Sequence, residues 1–333
     1  VTASLPPALE TGDSRIVSRR IPPRIPEDPF FDPLLFAVRV VGLLALYGSG
    51  ALLLREAWVR WDRGFGVVLL LGASYGIVEE GVAVHTFVLT GGSPVNVLGQ
   101  FGHSLGVNWV RAVGLTLFHT LYSIALPILL THLYYPALRG RRFLPGRWLT
   151  LPFLAGALIV VLFAVSARAP VTPGLYVAFL GVAALLVGLA RYAPAGWLED
   201  RPVAARTTPP GLFLAGGLSY ELWILHLIGG APRIVPQPVV AALLPLGVAA
   251  AALTFVRARI GRPARDLDLD WLAVGALAPL LLWSVLLELF LPGILLATAL
   301  AVYFLARLRG RLVSRISWVA AAHPDGAARG ALP

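Results

Sequence analysis

Chemistry in this chain has to come from the ionisable side chains that fall inside its long apolar runs: Arg39, Glu79, Glu80, His85, Arg111, His119, His132, Glu221, His226 and Glu288. An ionised group at the centre of a bilayer costs several kcal/mol unless it is paired or hydrated, so each of these asks for a partner. Glu79 and Glu80 are adjacent, about 100° apart around a helix. In a dry site both cannot be ionised without a compensating cation, which a divalent metal, a proton or an arginine such as Arg39 or Arg111 could supply. His119 shares a stripe of about 80° with Asn108, Thr116 and Ser123, which should face protein or water and not lipid. Carboxylates beside imidazoles are the groups that hold a metal and activate a water for amide or ester hydrolysis. They are equally the groups that relay protons.

The elements that must position these residues are membrane spans. Of the 333 residues 58% are apolar and only 13% charged, and the mean hydropathy is +0.80. A soluble domain carries about a quarter of its residues charged. The apolar runs are continuous over about twenty residues, the length of a spanning helix, and do not alternate as barrel strands do. The expected fold is therefore an all-α polytopic transmembrane bundle of about nine spans. These lie near Pro33 to Leu54, Phe65 to Leu89, Asn108 to Tyr135, Leu149 to Ala167, Val171 to Leu189, Gly211 to Gly229, Val239 to Val256, Trp271 to Leu289 and Leu291 to Ala306. Residues 1–32, rich in Pro, Arg and acids without helical periodicity, read as a mobile N-terminal tail. They hold no apolar stretch of signal-peptide type, so the first span is expected to stay as an anchor. Residues 33–308 form the transmembrane domain and 309–333 a cytoplasmic C-terminal tail. Pro127, inside the third span, should kink it or open its hydrogen-bond ladder.

The net charge of +10 is carried by arginine alone, since the sequence has 27 Arg and no Lys. No segment is long enough for a soluble basic domain, so nucleic acid is not an expected partner and membrane lipids are. Arg-rich loops at Arg55 to Arg63, Arg139 to Arg147, Arg191 to Arg206 and Arg257 to Arg265 alternate with Arg-poor loops near Val95, Arg168, Arg233 and Pro292. The positive-inside rule places the Arg-rich set and the C-terminus in the cytoplasm. Arg15, Arg19, Arg20 and Arg24 in the tail run against it. At about 1.5 Å per residue, Glu79, Glu80 and His119 then sit at matching depth in the outer half of the membrane, with Glu221 and His226 at a similar level. The composition, free of Cys and Lys, is compatible with a GC-rich prokaryotic genome, which favours the plasma membrane as the expected location. Without Cys, disulfides and thiolate sites are excluded. Without Lys there is no phosphate-binding loop of the Gly-Lys type.

The Glu79-Glu80 pair on a membrane helix, followed some forty residues later by an intramembrane histidine, resembles the CAAX-processing and bacteriocin-immunity group of intramembrane metalloproteases. That family carries Glu-Glu-x-x-x-Arg, Phe-x-x-x-His and His-x-x-x-Asn motifs. Here Val84 stands at the Arg position, Leu115 at the Phe position before His119, and Gly230 at the Asn position after His226. The resemblance implies an intramembrane hydrolase in which Glu80 is the base. Glu79, His119 and His226 would then hold one divalent metal ion such as zinc, with Arg39, Arg111 and Glu221 as charge partners.

Two other readings compete. Ser74-Tyr75, Glu79-Glu80, His85 and Gly91-Gly92 are echoed by Ser219-Tyr220, Glu221, His226 and Gly229-Gly230. Parallel repeats of this kind suit a proton- or cation-coupled transporter or channel. Alternatively the buried charges pair only with one another and fix helix register in a scaffold. His85 lies about 140° around the helix from Glu80 and is set aside. His132 reads as interfacial, and His103 and His323 lie outside the spans.

Overall fold

In the computed structural model the described residues are 33–90, 98–167, 169–192, 209–217, 235–259, 265–288 and 294–322. Residues 1–42 and Leu43–Pro333 are separate units. The described part of the first belongs to helix α1 (Pro33–Leu43), and the side chain of Arg39 is not described. The second unit holds the remaining elements. They are a π-helical turn Leu44–Gly48, α2 (Ser49–Trp61), α3 (Gly66–Ile77) with a π turn Val78–Ala83, and α4 (Trp109–Phe118) with a π turn His119–Ala125. These are followed by α5 (Leu126–Tyr134), α6 (Thr150–Ser166), α7 (Pro173–Tyr192), α8 (Pro238–Arg259), α9 (Asp266–Leu287) and α10 (Ile294–Ala322). The one sheet among the described residues is a two-strand hairpin, β1 (His103–Ser104) on β2 (Val107–Asn108).

The chain is thus an all-α membrane-type bundle. Among the described residues seven helical stretches are long and apolar enough to cross a bilayer: Val40–Trp61, Gly66–Ala83, Trp109–Tyr134, Gly146–Ser166, Pro173–Tyr192, Pro238–Ala258 and Asp266–Leu286. Much of the span expected near Gly211 to Gly229 lies outside the described residues. Spans of this length put lipid against their exposed apolar faces, as along α6, where Leu151, Phe153, Leu154, Leu158 and Val161 all point outward.

Three departures from the expected boundaries have physical causes. The second span ends at Ala83 and not near Leu89, because its last turn is π-helical and His85 then takes a left-handed conformation (φ 60°) that no helix can continue. Helix α10 runs on to Ala322, beyond the expected start of the C-terminal tail, because its arginines find partners. Arg309 lies 3.6 Å from Asp270 and over the Trp271 ring, Arg311 lies over Tyr134, and Arg315 donates to the Leu133 and Tyr134 carbonyls. The span on α9 also contains buried acids, Asp268 and Asp270, that pattern reading had left in the preceding loop.

Helix α3 is the axis of the site. Its Gly72 and Gly76 meet the helix formed by α4 and its π turn almost backbone to backbone. A Cβ on Gly72 would stand 2.9 Å from Thr120 Cα, and one on Gly76 would stand 3.0 Å from His119 Cβ and 3.2 Å from Thr116 Cα. Small residues four apart are how membrane helices gain contact where lipid offers no hydrophobic drive. Opposite, α7 packs Phe179 edge-on against Phe87, and Gly81 leaves room for the Phe179 ring. At the far end of the bundle Glu56, fully buried, accepts from Arg55 (2.7 Å), Arg60 (3.2 Å) and the Phe143 amide (2.7 Å), which ties the loop before α6 to α2.

Candidate functional site

Among the described residues three π turns occur, one between α1 and α2, one after α3 and one between α4 and α5, and all three bear residues of one cluster: Tyr47 in the first, Glu79 and Glu80 in the second, His119 and Ser123 in the third. A π turn widens the helix by one residue and leaves backbone groups poorly paired, so it persists where it re-aims side chains. In the third run the cause is in the sequence. Pro127 has no N–H and its ring crowds the carbonyl of Ser123, so the preceding ladder shifts register. The expectation of a disturbed ladder at Pro127 is met as a π turn and not as a break.

His119 stands between the two glutamates. Its Nε2 lies 2.7 Å from Glu80 Oε1, and its Nδ1 lies 3.0 Å from Glu79 Oε2 and 2.8 Å from Ser123 Oγ. Glu79, Glu80 and His119 are 4%, 7% and 3% exposed, so bulk water does not screen them. Thr86 Oγ1 donates to Glu80 Oε2, which leaves both oxygens of Glu80 engaged. Glu79 is different. The hydroxyls of Tyr47 and Tyr75 face it, yet its Oε2 has no well-aligned hydrogen bond, and neither does the buried Tyr75 Oη. Buried polar atoms are ordinarily fully satisfied, so a carboxylate oxygen whose near neighbour is His119 Nδ1 at 3.0 Å, beside a hydroxyl without a well-aligned bond, leaves capacity for a further group to bind.

Aromatic rings wall the cluster. Tyr47 stacks on His119 at 6.3 Å, Tyr75 meets it edge-on at 6.2 Å, and Phe118 closes in at 5.4 Å. The Tyr75 ring occupies the space that a side chain on Gly50 would fill. Arg111, on the same helix as His119 and buried, lies within the field of Glu80. The charge count is then simple. Two carboxylates, one neutral imidazole and one guanidinium sum to −1, which a single proton on the Glu–His–Glu group would cancel. A divalent ion in place of that proton would leave +1, the charge that a bound hydroxide removes.

One ligand atom from each of Glu79, Glu80 and His119 falls within 4.8 Å of the others, so the three could hold a metal ion. An imidazole with carboxylates suits zinc, and three protein ligands leave a position open. In an alternative arrangement Glu79 Oε2 and His119 Nδ1 would face the ion and Nε2–H would donate to Glu80, which would then set the tautomer of the ligating histidine in place of ligating itself.

The structure brings Glu79, Glu80 and His119 together; Glu221 and His226 lie outside the described residues. Asn108 shares the stripe but does other work. It caps α4 by accepting from the Arg111 amide (3.0 Å) and donates to Gly99 O. Glu288 accepts from the Leu295 amide at the start of α10. Tyr47, Tyr75 and Thr86 escaped pattern reading, since tyrosine and threonine carry no charge penalty to make them conspicuous.

His85, set aside on helical geometry, is no longer on the helix. Buried and left-handed, it directs Nδ1 to Ala169 O at 2.7 Å, while the Tyr176 hydroxyl sits 2.7 Å from Nε2. Nε2 also lies 3.1 Å from the Val82 carbonyl, so both ring nitrogens are engaged, Nδ1–H donating to Ala169 O. Replacing His85 with alanine keeps the disfavoured backbone and strands a half-buried carbonyl and a half-buried hydroxyl. We expect His85→Ala to destabilise the detergent-solubilised protein by about 2–3 kcal/mol, read as a lowered Tm. His85→Asn, which tolerates the left-handed region, is expected to lose less.

No protein-family model, no curated protein and no solved structure matches this chain.

Proposed function

We propose that this protein is an intramembrane metal-dependent hydrolase acting on amide or ester bonds, with its site in the outer half of the membrane and its Arg-rich loops and C-terminus in the cytoplasm. The observation that carries the reading is the buried Glu79, Glu80 and His119 cluster, whose ligand atoms lie within 4.8 Å of one another and which is assembled from three π turns. Such turns are costly and recur at functional sites, whereas a scaffold needs only ion pairs that close on themselves.

Glu79 and His119 would hold the ion, with His226 as a further ligand. When bound, the ion would lower the pKa of its water toward neutrality and polarise the scissile carbonyl. The chain's own residues do the rest. Glu80 accepts from His119 and Thr86 with two of about four lone-pair directions, leaving room to take the proton that the attacking water gives up. The Tyr75 hydroxyl, buried beside Glu79 without a well-aligned bond, is a donor that can turn toward charge developing on the substrate oxygen. The aromatic wall excludes bulk water, which strengthens each of these interactions. The resemblance to CAAX-processing metalloproteases implies a metal-dependent hydrolase with Glu80 as the base, which is the reading proposed here.

A second reading, proton-coupled transport, is favoured by one feature: an imidazole bridging two carboxylates holds a single exchangeable proton without any metal. One experiment separates them. Protein purified in detergent and freed of loosely bound ions is assayed for zinc, and then for cleavage of fluorogenic single-span peptides in proteoliposomes with and without a hydroxamate. One tight zinc per chain with hydroxamate-sensitive cleavage is expected. Absence of a bound divalent ion, with proton flux into liposomes that Glu80→Gln abolishes, would overturn the hydrolase in favour of the transporter.

A further inference from the structure

The turn that ends the Glu79–Glu80 helix is built in an unusual way. The π turn closes with the Val84 amide on Glu79 O at 2.8 Å, after which His85 reverses into the left-handed region and Thr86 begins a 3₁₀ turn, Thr86–Val88. A buried histidine does not adopt φ 60° without compensation. Here the compensation comes from another helix. Ala169, in the segment leading into α7, takes the Nδ1 hydrogen, and Tyr176, on α7, caps Nε2. Phe87, the next residue but one, is held by Phe179 of the same helix.

The only side chain of this turn that reaches the cluster is Thr86, whose hydroxyl donates to Glu80 Oε2 and also lies 3.4 Å from Glu80 O. Glu80 is thereby held from both ends, by His119 on Oε1 and by Thr86 on Oε2, while Glu79 Oε2 has His119 Nδ1 3.0 Å away but no well-aligned hydrogen bond. Without the left-handed residue the chain would leave the helix in another direction and Thr86 could not fold back over the carboxylate six positions before it.

We infer that Thr86 is a positioning residue that fixes the Glu80 carboxylate, and through it His119, for binding a divalent cation, and that α7 sets its position through the Tyr176–His85 latch. The proposal rests on the metal reading above. It gives the pair an ordered division of labour: Glu80, pinned by Thr86, orients the imidazole, and Glu79 meets the ion. A hydroxyl that only capped the backbone carbonyl would have no effect on the cation.

Zinc affinity of the full-length protein in detergent, measured by competition with a chromogenic chelator, tests it. Thr86→Val, which keeps the shape and removes the donor, is expected to weaken zinc binding about 10–100-fold, the usual effect of losing a hydrogen bond to the groups that orient metal ligands. Thr86→Ser should restore it. Tyr176→Phe, which touches neither Thr86 nor Glu80, should give a smaller loss in the same direction. Unchanged affinity in Thr86→Val, or equal losses in the valine and serine variants, would overturn the positioning role while leaving the metal site standing. If the wild type binds no zinc, the metal reading falls. The infrared carboxyl bands that disappear in Glu80→Gln then decide the hydrogen bond alone: a shift in Thr86→Val, reversed in Thr86→Ser, upholds it, and no shift removes it.

Discussion

On the proposed hydrolase reading, Glu79→Gln is expected to abolish zinc binding and to lower cleavage by about a thousandfold or more, the scale seen when a member of a cooperative catalytic group is lost, yet to leave the folded protein as stable as the wild type or more so. The two halves of this expectation come from the same geometry. Glu79 is 4% exposed, and its Oε2 has no hydrogen bond although His119 Nδ1 is 3.0 Å away. A buried carboxylate in that state has lost its hydration and regained little within the protein. A neutral amide of the same shape avoids the cost. Were the Glu–His–Glu group a structural ion pair, removing one charge would strand its partner and cost about 3–5 kcal/mol. Thermal melting and metal content measured on the same sample therefore distinguish a site from a strut. A fall in Tm with no bound metal in either protein would place Glu79 among the struts.

Gly76→Leu is expected to prevent assembly of the site outright, and in detergent to leave little folded protein. The added Cβ meets His119 Cβ at 3.0 Å and the Thr116 backbone at 3.2 Å, and the remaining leucine atoms have nowhere to go. Overpacking of a tight core by side-chain ends costs about 1–3 kcal/mol, and here one obstacle is backbone, which cannot rotate aside. Gly76→Ala should be tolerated with a cost in that range, because the helices can part by a few tenths of an ångström. The chain has no cysteine, so spin labels on engineered pairs, one on α3 and one on α4, report the separation without background. Gly76→Ala should widen the distance slightly and weaken zinc binding. Wild-type distances and melting in Gly76→Leu would show that the two helices do not meet at this glycine.

The chemically expensive parts of the protein were legible without coordinates. Glu79, Glu80 and His119 stand out because charge in an apolar run is costly, and equal depth was enough to bring them together on paper. That depth argument was partly right for the wrong interval. The pair lies three residues from the end of its helix and not about ten, and it meets His119 because α3 packs closely on the α4 helix at Gly72 and Gly76. His85 itself could not be placed from helical angles, since the helix had already ended. Asp268 and Asp270 read as loop acids next to Arg265, although both are buried within the span on α9.

Composition and apolar run length alone determine that this chain is an all-α membrane bundle, because lipid permits few other ways to satisfy a backbone. The same cost of burying charge singles out a glutamate pair and a histidine. Tertiary structure decided which carboxylate is held and which is open. That depends on the π turns, on Thr86 folding over Glu80, and on α7 supporting His85 from more than eighty residues away in sequence. Such arrangements arise from hydrogen-bond register and from neighbours distant along the chain, which leave no periodic trace in the order of the residues.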